Sequence, residues 1–291
     1  MLRRSRLALA TLLVALPAVL VSSPVASARP RAAHATPHRI VSLSPTATET
    51  LFAIGAGKQV VAVDDDSNYP KQAPRTKLSG LTPNVEAIAA YRPDLVVIAY
   101  DPGGLRAALG RLHIPVLMQD GAPTLAAAYG QMLALGRVTG HVAQAQALVA
   151  RMKTRIARLV AGAHGRGKGL AVYHELDPTL YSVTSKTYIG QIYALFGLHD
   201  IADAADKSGS GYPQLSDEYV VASNPDLIVL ADVVCCGQSA KTLRARPGWD
   251  RIAAVRKGLV VRIDDSIASR WGPRTVDFVR AIASALQHVR T

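Results

Sequence analysis

Charge and aromatic rings are both scarce in this chain, and each shortage narrows what it can be. Only 19% of its 291 residues are charged while 49% are hydrophobic, which excludes a disordered, self-repelling polymer. Phe, Tyr and Trp together make 5%, so the core is aliphatic and any aromatic in a loop stands out. Cysteine is limited to the neighbours Cys235 and Cys236. Beyond the N-terminal segment there is no further long apolar run of the length a membrane span needs.

Several catalytic signatures are missing as well. The histidines, from His34 to His288, contain no pair at the spacing of a zinc or manganese site on a helix. Gly162 to Gly169 imitates a P-loop, but Gly169 stands where Ser or Thr is required and a helical pattern precedes it; it reads as a flexible joint. Lys207-Ser208-Gly209-Ser210-Gly211 has Lys207 where the nucleophile elbow of a hydrolase has glycine, so a loop is expected. Asp64-Asp65-Asp66 lacks the Gly and Glu of a calcium loop and reads as solvated. The net charge of +12 suits anionic partners, but the densest basic run, Arg151 to Arg158, has the spacing of a solvated helix face, and nucleic acid is not an expected partner.

Residues 1–28 read as a signal peptide. Arg3, Arg4 and Arg6 form a basic region, Leu7 to Val21 an apolar stretch shorter than a spanning helix, and Ala26-Ser27-Ala28 a small-residue cleavage signal. Removing that segment deletes three arginines and no acid, lowering the charge from +12 to +9. No cysteine stands near the cleavage site, so an exported, soluble mature chain is expected, with an uncleaved anchor as the alternative. Residues 29–38 read as a disordered leader.

One unit occurs twice. Asn84-Val-Glu86 leads through Pro93-Asp94 into Leu-Val-Val-Ile, and Ser216-Asp-Glu218 leads through Pro225-Asp226 into Leu-Ile-Val-Leu. Asn84 and Ser216 can cap short helices whose first turns carry the glutamates. The prolines stop those helices, and the aliphatic runs have the length of buried parallel strands. The two copies lie too far apart for a solenoid and suggest two lobes of similar build.

The chain between and around them alternates strand and helix. Residues 39–140 hold strands at Ile40 to Leu43, Gln59 to Val63, the first repeat and Pro115 to Met118, an α/β lobe. Thr46 or Ser44 caps the first helix, with Glu49 in its first turn. Residues 141–163 form a linking helix, apolar at three- and four-residue steps, after a break at Gly136 and Thr139-Gly140. About 22 residues span roughly 33 Å, enough to cross between lobes. Residues 169–291 repeat the plan, with strands at Leu170 to Tyr173, Leu180 to Val183, the second repeat and Leu259 to Ile263, a helix around Trp249 to Val255, and a closing helix from Pro273 to Val289. Cys235 and Cys236 follow the repeat strand, at the carboxyl edge where parallel sheets bind ligands. Adjacent Cα atoms sit about 3.8 Å apart, below the usual disulfide range. In an oxidising compartment a strained ring and two free thiols both stand as readings.

From Arg39 to the last helix, the chain resembles the ABC-importer substrate-binding proteins that capture cobalamin, ferric siderophores and haem. The opening Arg39-Ile-Val-Ser-Leu-Ser-Pro45-Thr-Ala-Thr-Glu49, the Tyr69-Pro70 loop, both Glu…Pro-Asp units and the mid-chain helix carry that likeness in order. It implies two Rossmann-like lobes with parallel sheets joined by one long backbone helix, a ligand in the cleft between them, no cofactor and no catalysis. It also implies that Glu86 and Glu218 pair with arginines on a two-subunit ABC permease, with the binding protein itself a monomer. Two like-placed carboxylates on like lobes suit such a two-fold partner independently.

The resemblance puts Tyr69 and Tyr212 against the ligand, while Gly80 stands where cobalamin-binding members can carry Trp. Ser44, Tyr100, Tyr173, Asp232, Arg270 and Trp271, at strand ends or in late loops, complete the expected cleft. Arg270 and the basic charge suit an anionic iron chelate, whereas an apolar aromatic cleft suits a corrinoid. The alternatives are a haem or transition-metal carrier, the metal form using His174, Glu175 and Asp101, and an exported α/β hydrolase.

Overall fold

The computed structural model describes residues 36–289. The signal peptide and the leader as far as residue 35 lie outside the described residues. Within the leader's last three residues, Pro37 is buried and His38 donates its backbone N–H to Asp94 at 2.8 Å. Among the described residues no helix is long and apolar enough to cross a membrane.

The first lobe runs β1 (Ile40–Leu43), α1 (Pro45–Ala53), β2 (Val60–Asp64), β3 (Arg75–Leu78), α2 (Val85–Ala89), β4 (Leu95–Ile98), α3 (Leu105–Arg111), β5 (Val116–Met118) and α4 (Leu125–Thr139). A single helix, α5 (Val142–Gly162), leads to the second. That lobe runs β6 (Ala171–Glu175), α6 (Tyr188–Ala194), β7 (His199–Asp200), α7 (Asp217–Ser223), β8 (Leu227–Leu230), α8 (Val233–Cys236), α9 (Ala240–Ala245), α10 (Ala253–Lys257), β9 (Val260–Arg262), α11 (Asp265–Ala268) and α12 (Thr275–Leu286). The sheets have the orders β3-β2-β1-β4-β5 and β7-β6-β8-β9, with every strand pair parallel. The fold is thus two α/β lobes joined by one long helix.

The aliphatic repeats occupy equivalent places. All four residues of β4 and of β8 are buried, as expected of strands covered on both faces. In β1, Ile40 packs into the core that runs through α4, α5, α12 and the second lobe, while Val41 packs into a smaller core under α2 and α3. Alternate side chains feed opposite faces, and the one polar residue of β1, Ser42, is fully buried with its hydroxyl bonded to the Ser44 carbonyl and to Thr48. The Pro-Asp pairs have a shared task too. Asp94 accepts the N–H groups of His38 and Arg39 just before β1, and Asp226 accepts that of Ala171 at the start of β6. Each aspartate thereby fixes the register of a neighbouring strand.

Other local expectations change. A fifth strand, β3, extends the first sheet; its sequence Arg-Thr-Lys-Leu buries only Leu78, the composition of an edge strand. Leu180 to Val183 forms one antiparallel bridge, Tyr181 with Gln214, and the strand beside β6 is instead the two-residue β7. The stretch from Trp249 to Val255 divides where Ile252 turns extended. Gly140, at φ 77°, ends α4 in the left-handed conformation and lets α5 fold back against it.

Candidate functional site

Ligands of parallel sheets bind beyond the carboxyl ends of the strands. Here those ends carry Ser44, Asp64 and Tyr100 from the first lobe and Glu175, Asp232 and Asp264 from the second. Between them the lobes are tied by side chains from the segment after α11. Glu49, on α1, is nearly inaccessible and accepts Arg270 Nη1 at 3.0 Å and Arg274 Nε and Nη2 at 2.9 and 2.6 Å. Arg270 also donates to Asn68 Oδ1 at 2.8 Å and to the Asp66 carbonyl at 2.9 Å. Trp271 Nε1 donates to Gln131 Oε1 of α4 at 2.7 Å, and Gln191 donates to the Pro123 carbonyl.

This tie corrects the reading of Glu49. Helix α1 begins at Pro45 under a cap from Ser44, so Glu49 sits beyond the first turn and compensates arginines rather than the helix dipole. A signal was present: it is the one charged residue in Pro-Thr-Ala-Thr-Glu-Thr-Leu-Phe-Ala, a helix otherwise buried along most of its length. A lone carboxylate in such surroundings requires a partner. Gln131 and Arg274 carried no comparable pattern.

A cavity of about 390 Å³ opens on one side of the tie. Its walls are Gly121 to Pro123 of the first lobe, and Lys186 to Ile189, Gly209 to Tyr212, Ser269 and Trp271 of the second. Tyr212, 48% exposed, and Trp271 are therefore brought together. Tyr100 is exposed at the end of β4, outside this cavity. Tyr69 lies elsewhere, with the Arg274 guanidinium 4.6 Å from its ring centre. Arg270 is spent on Glu49 and Asn68.

Three expected cleft residues lie inward instead. Ser44 is buried and its hydroxyl accepts the Ala47 N–H. Tyr173, at 0% exposure, packs edge-on against Trp249 and donates its hydroxyl to Glu175. It points into the second lobe's core because alternate β6 residues face opposite sides. Asp232 is also fully buried, and neither carboxylate oxygen has a partner among the described residues. Burial, then the neighbouring Glu175 carboxylate, raises its pKa to about 7. Glu175 is gripped by both Nη atoms of Arg246 at 2.6 and 2.7 Å. Beside this group, at the surface, Cys235 and Cys236 are bonded to each other.

Gly80 has a steric reason. A Cβ there would lie 2.9 Å from Asp64 Oδ2 and 3.0 Å from the Leu43 carbonyl, leaving no room for Trp on this backbone. Asp64 itself is buried with one oxygen unpartnered, and burial raises its pKa to about 6.

The alternative chemistries find no constellation. His174 faces Tyr193 and Phe278 in the core, with Nδ1 2.5 Å from the Tyr193 hydroxyl, and burial lowers its pKa to about 3. Glu175, the next residue, points to the opposite face, and Asp101 accepts the Arg106 N–H. Among the described residues no three His, Cys, Asp or Glu side chains group around a metal position. The elbow-like loop is held by Asp206, which accepts the Ser208 hydroxyl and the N–H groups of Ser210 and Gly211. The repeated glutamates, Glu86 and Glu218, are both exposed in the first turns of helices capped by Asn84 and Ser216. Backbone and Ser216 hydrogen bonds hold the Glu218 pKa below its ordinary value.

A family model described as periplasmic binding protein matches residues 40–267. An uncharacterized ABC transporter substrate-binding lipoprotein of Bacillus subtilis is 30% identical over 260 residues, covering 86% of this chain and 80% of that protein. A vitamin B12-binding protein of Pectobacterium carotovorum is 30% identical over 262 residues, covering 88% of this chain and 90% of its own. Among solved structures, the apo form of a periplasmic heme-binding protein from a Roseiflexus species aligns with a TM-score of 0.74 at 24% identity. That alignment covers 86% of this chain and 97% of the other, and shows a shared fold. With this two-lobed architecture, a family match over residues 40–267 and relatives covering 86% and 88% of its length, the chain belongs to the periplasmic binding protein family, as a substrate-binding protein of an ABC importer and not an enzyme.

Proposed function

We propose that this protein captures a cobalamin-type corrinoid in the interlobe cleft and delivers it to its permease. The observation that carries the reading is the chemistry of the 390 Å³ cavity. Its walls combine Trp271, Tyr188, Tyr212 and Ile189 with backbone-rich Gly and Ser segments, and among the described residues Lys186 is the one charged residue lining it. Such a surface suits a large ligand of low charge with amide groups at its edge. Arg270, the expected counter-charge for an anionic chelate, is engaged by Glu49, Asn68 and the Asp66 carbonyl, and it does not line this cavity. The similarity to the Pectobacterium protein supports the same ligand class.

A ferric siderophore or haem is the second reading. Gly80 favours it, since the first lobe lacks an aromatic ring where corrinoid binders can carry one. The basic region of Arg3, Arg4 and Arg6, the apolar stretch and the Ala26-Ser27-Ala28 signal support export with cleavage, and the protein acts as a monomer toward a two-subunit permease.

Calorimetric titration with cobalamin, a ferric siderophore and haem separates the readings. Submicromolar cobalamin binding, weakened at least about tenfold in Trp271→Ala by loss of a buried aromatic contact, is expected. Tight binding of an iron ligand with none of cobalamin would replace the corrinoid assignment.

A further inference from the structure

A second cavity, of about 440 Å³, lies on the other side of the interlobe tie. Among the described residues it shares no lining residue with the first. The segment from Ser269 to Arg274 divides them: Ser269 and Trp271 face the first cavity, and Pro273 and Arg274 face the second. The second is walled by α1, the Tyr69-Pro70 loop, the middle of α5 and the start of α12.

Its charges are unevenly satisfied. Glu49 is taken by two arginines, and Asp277 pairs with Arg280 at 2.5 Å. Arg151 and Arg155, one turn apart on α5, are both exposed and have no protein hydrogen-bond or ion-pair partner among the described residues, so their donors are free to take a ligand. Like charges at that spacing repel, and an anion between them relieves the repulsion. Planar guanidinium groups present paired donors that match a carboxylate. Below them the cavity is lined by Leu148 and Met152, which pack mostly into the core, and opposite stand Phe52 and the half-exposed Tyr69 ring, against which the Arg274 guanidinium lies. Arginine donors above a floor of aliphatic and aromatic groups define an amphipathic ligand with one flat apolar side and one anionic edge.

We propose that this cavity is a separate binding site for a small planar aromatic carboxylate, held by Arg151 and Arg155 with its ring against Tyr69 and Phe52. The basic run of α5 then has a binding role beyond solvation. The site is independent of which cargo occupies the cleft.

The test is calorimetric titration of the full chain with salicylate, using inorganic phosphate for comparison. The expected result is saturable salicylate binding, weakened about tenfold or more in Arg151→Ala/Arg155→Ala, as loss of charge-assisted hydrogen bonds requires. Lys186→Ala, which removes the cation of the other cavity, leaves salicylate affinity unchanged. Absence of binding overturns the proposal, as does binding that survives the double arginine substitution or is lost in Lys186→Ala. Phosphate binding as tightly as salicylate overturns the aromatic class. Cargo titrations of the same variants read the cleft separately, so failure of either assignment is visible without the other.

Discussion

Glu49 sets one negative charge against two arginines across the lobe junction, with 1% of its side chain exposed. Taking three charged groups out of water is costly, and mutual pairing offsets that cost only while all three remain. Glu49→Gln should therefore destabilise the protein by about 3 kcal/mol, because Arg270 and Arg274 stay buried without their counter-charge. Urea unfolding measures this; a change below about 0.5 kcal/mol would mean that the arginines reach water without the carboxylate. Asp64 behaves in the opposite sense, since burial raises its pKa from 3.8 to about 6. The folded state holds this proton more tightly than the unfolded state, so stability is greatest below the unfolded pKa. It is lost as pH rises through the folded value. Asp232, raised to about 7, extends the decline upward. Asp64→Asn should flatten the pH dependence and raise stability at neutral pH by on the order of 2 kcal/mol. Thermal unfolding of both proteins from about pH 4 to pH 8 checks the sign.

Among the elements, the repeated Pro-Asp unit does more than end a helix. Its aspartate bonds the backbone at the entry of the neighbouring parallel strand, β1 in one lobe and β6 in the other. Asp226→Ala should cost about 1 kcal/mol and speed amide exchange at Ala171, whose N–H loses its acceptor. Unchanged exchange there would show that water replaces the carboxylate. The helix-strand alternation and the central strands were legible because both faces of β4 and β8 are buried, leaving uninterrupted aliphatic runs. Strand β3 was not, since an edge strand with one buried side chain resembles a polar loop. Strand β7, only two residues long, carries no periodicity at all.

On the scale of the whole molecule, two like lobes present two exposed carboxylates, Glu86 and Glu218, on equivalent capped helices. We propose from that duplication that the two carboxylates dock to the permease: a partner with two like subunits would present one matching arginine cluster to each lobe. Glu86→Lys and Glu218→Lys should each abolish uptake in cells while leaving cargo affinity unchanged in solution. Normal uptake in both variants would remove these residues from the docking surface. Charge reversal at residues that line neither of the two cavities separates the two readouts.

The sequence by itself determined the two-lobed α/β plan, the linking helix and the paired surface glutamates, because each rests on contacts or periodicity within a short stretch. Hydrophobic repeats report burial, and caps and prolines report ends, wherever the lobes happen to lie. Only the tertiary structure decided which polar side chains line a cavity. Tyr173 went to the core and Arg270 to an ion pair, while Arg151 and Arg155 stayed exposed on the helix face, as expected, and there also line a cavity. Those outcomes depend on neighbours as far as 225 residues away, such as Arg274 from Glu49, and no local pattern encodes such a distance.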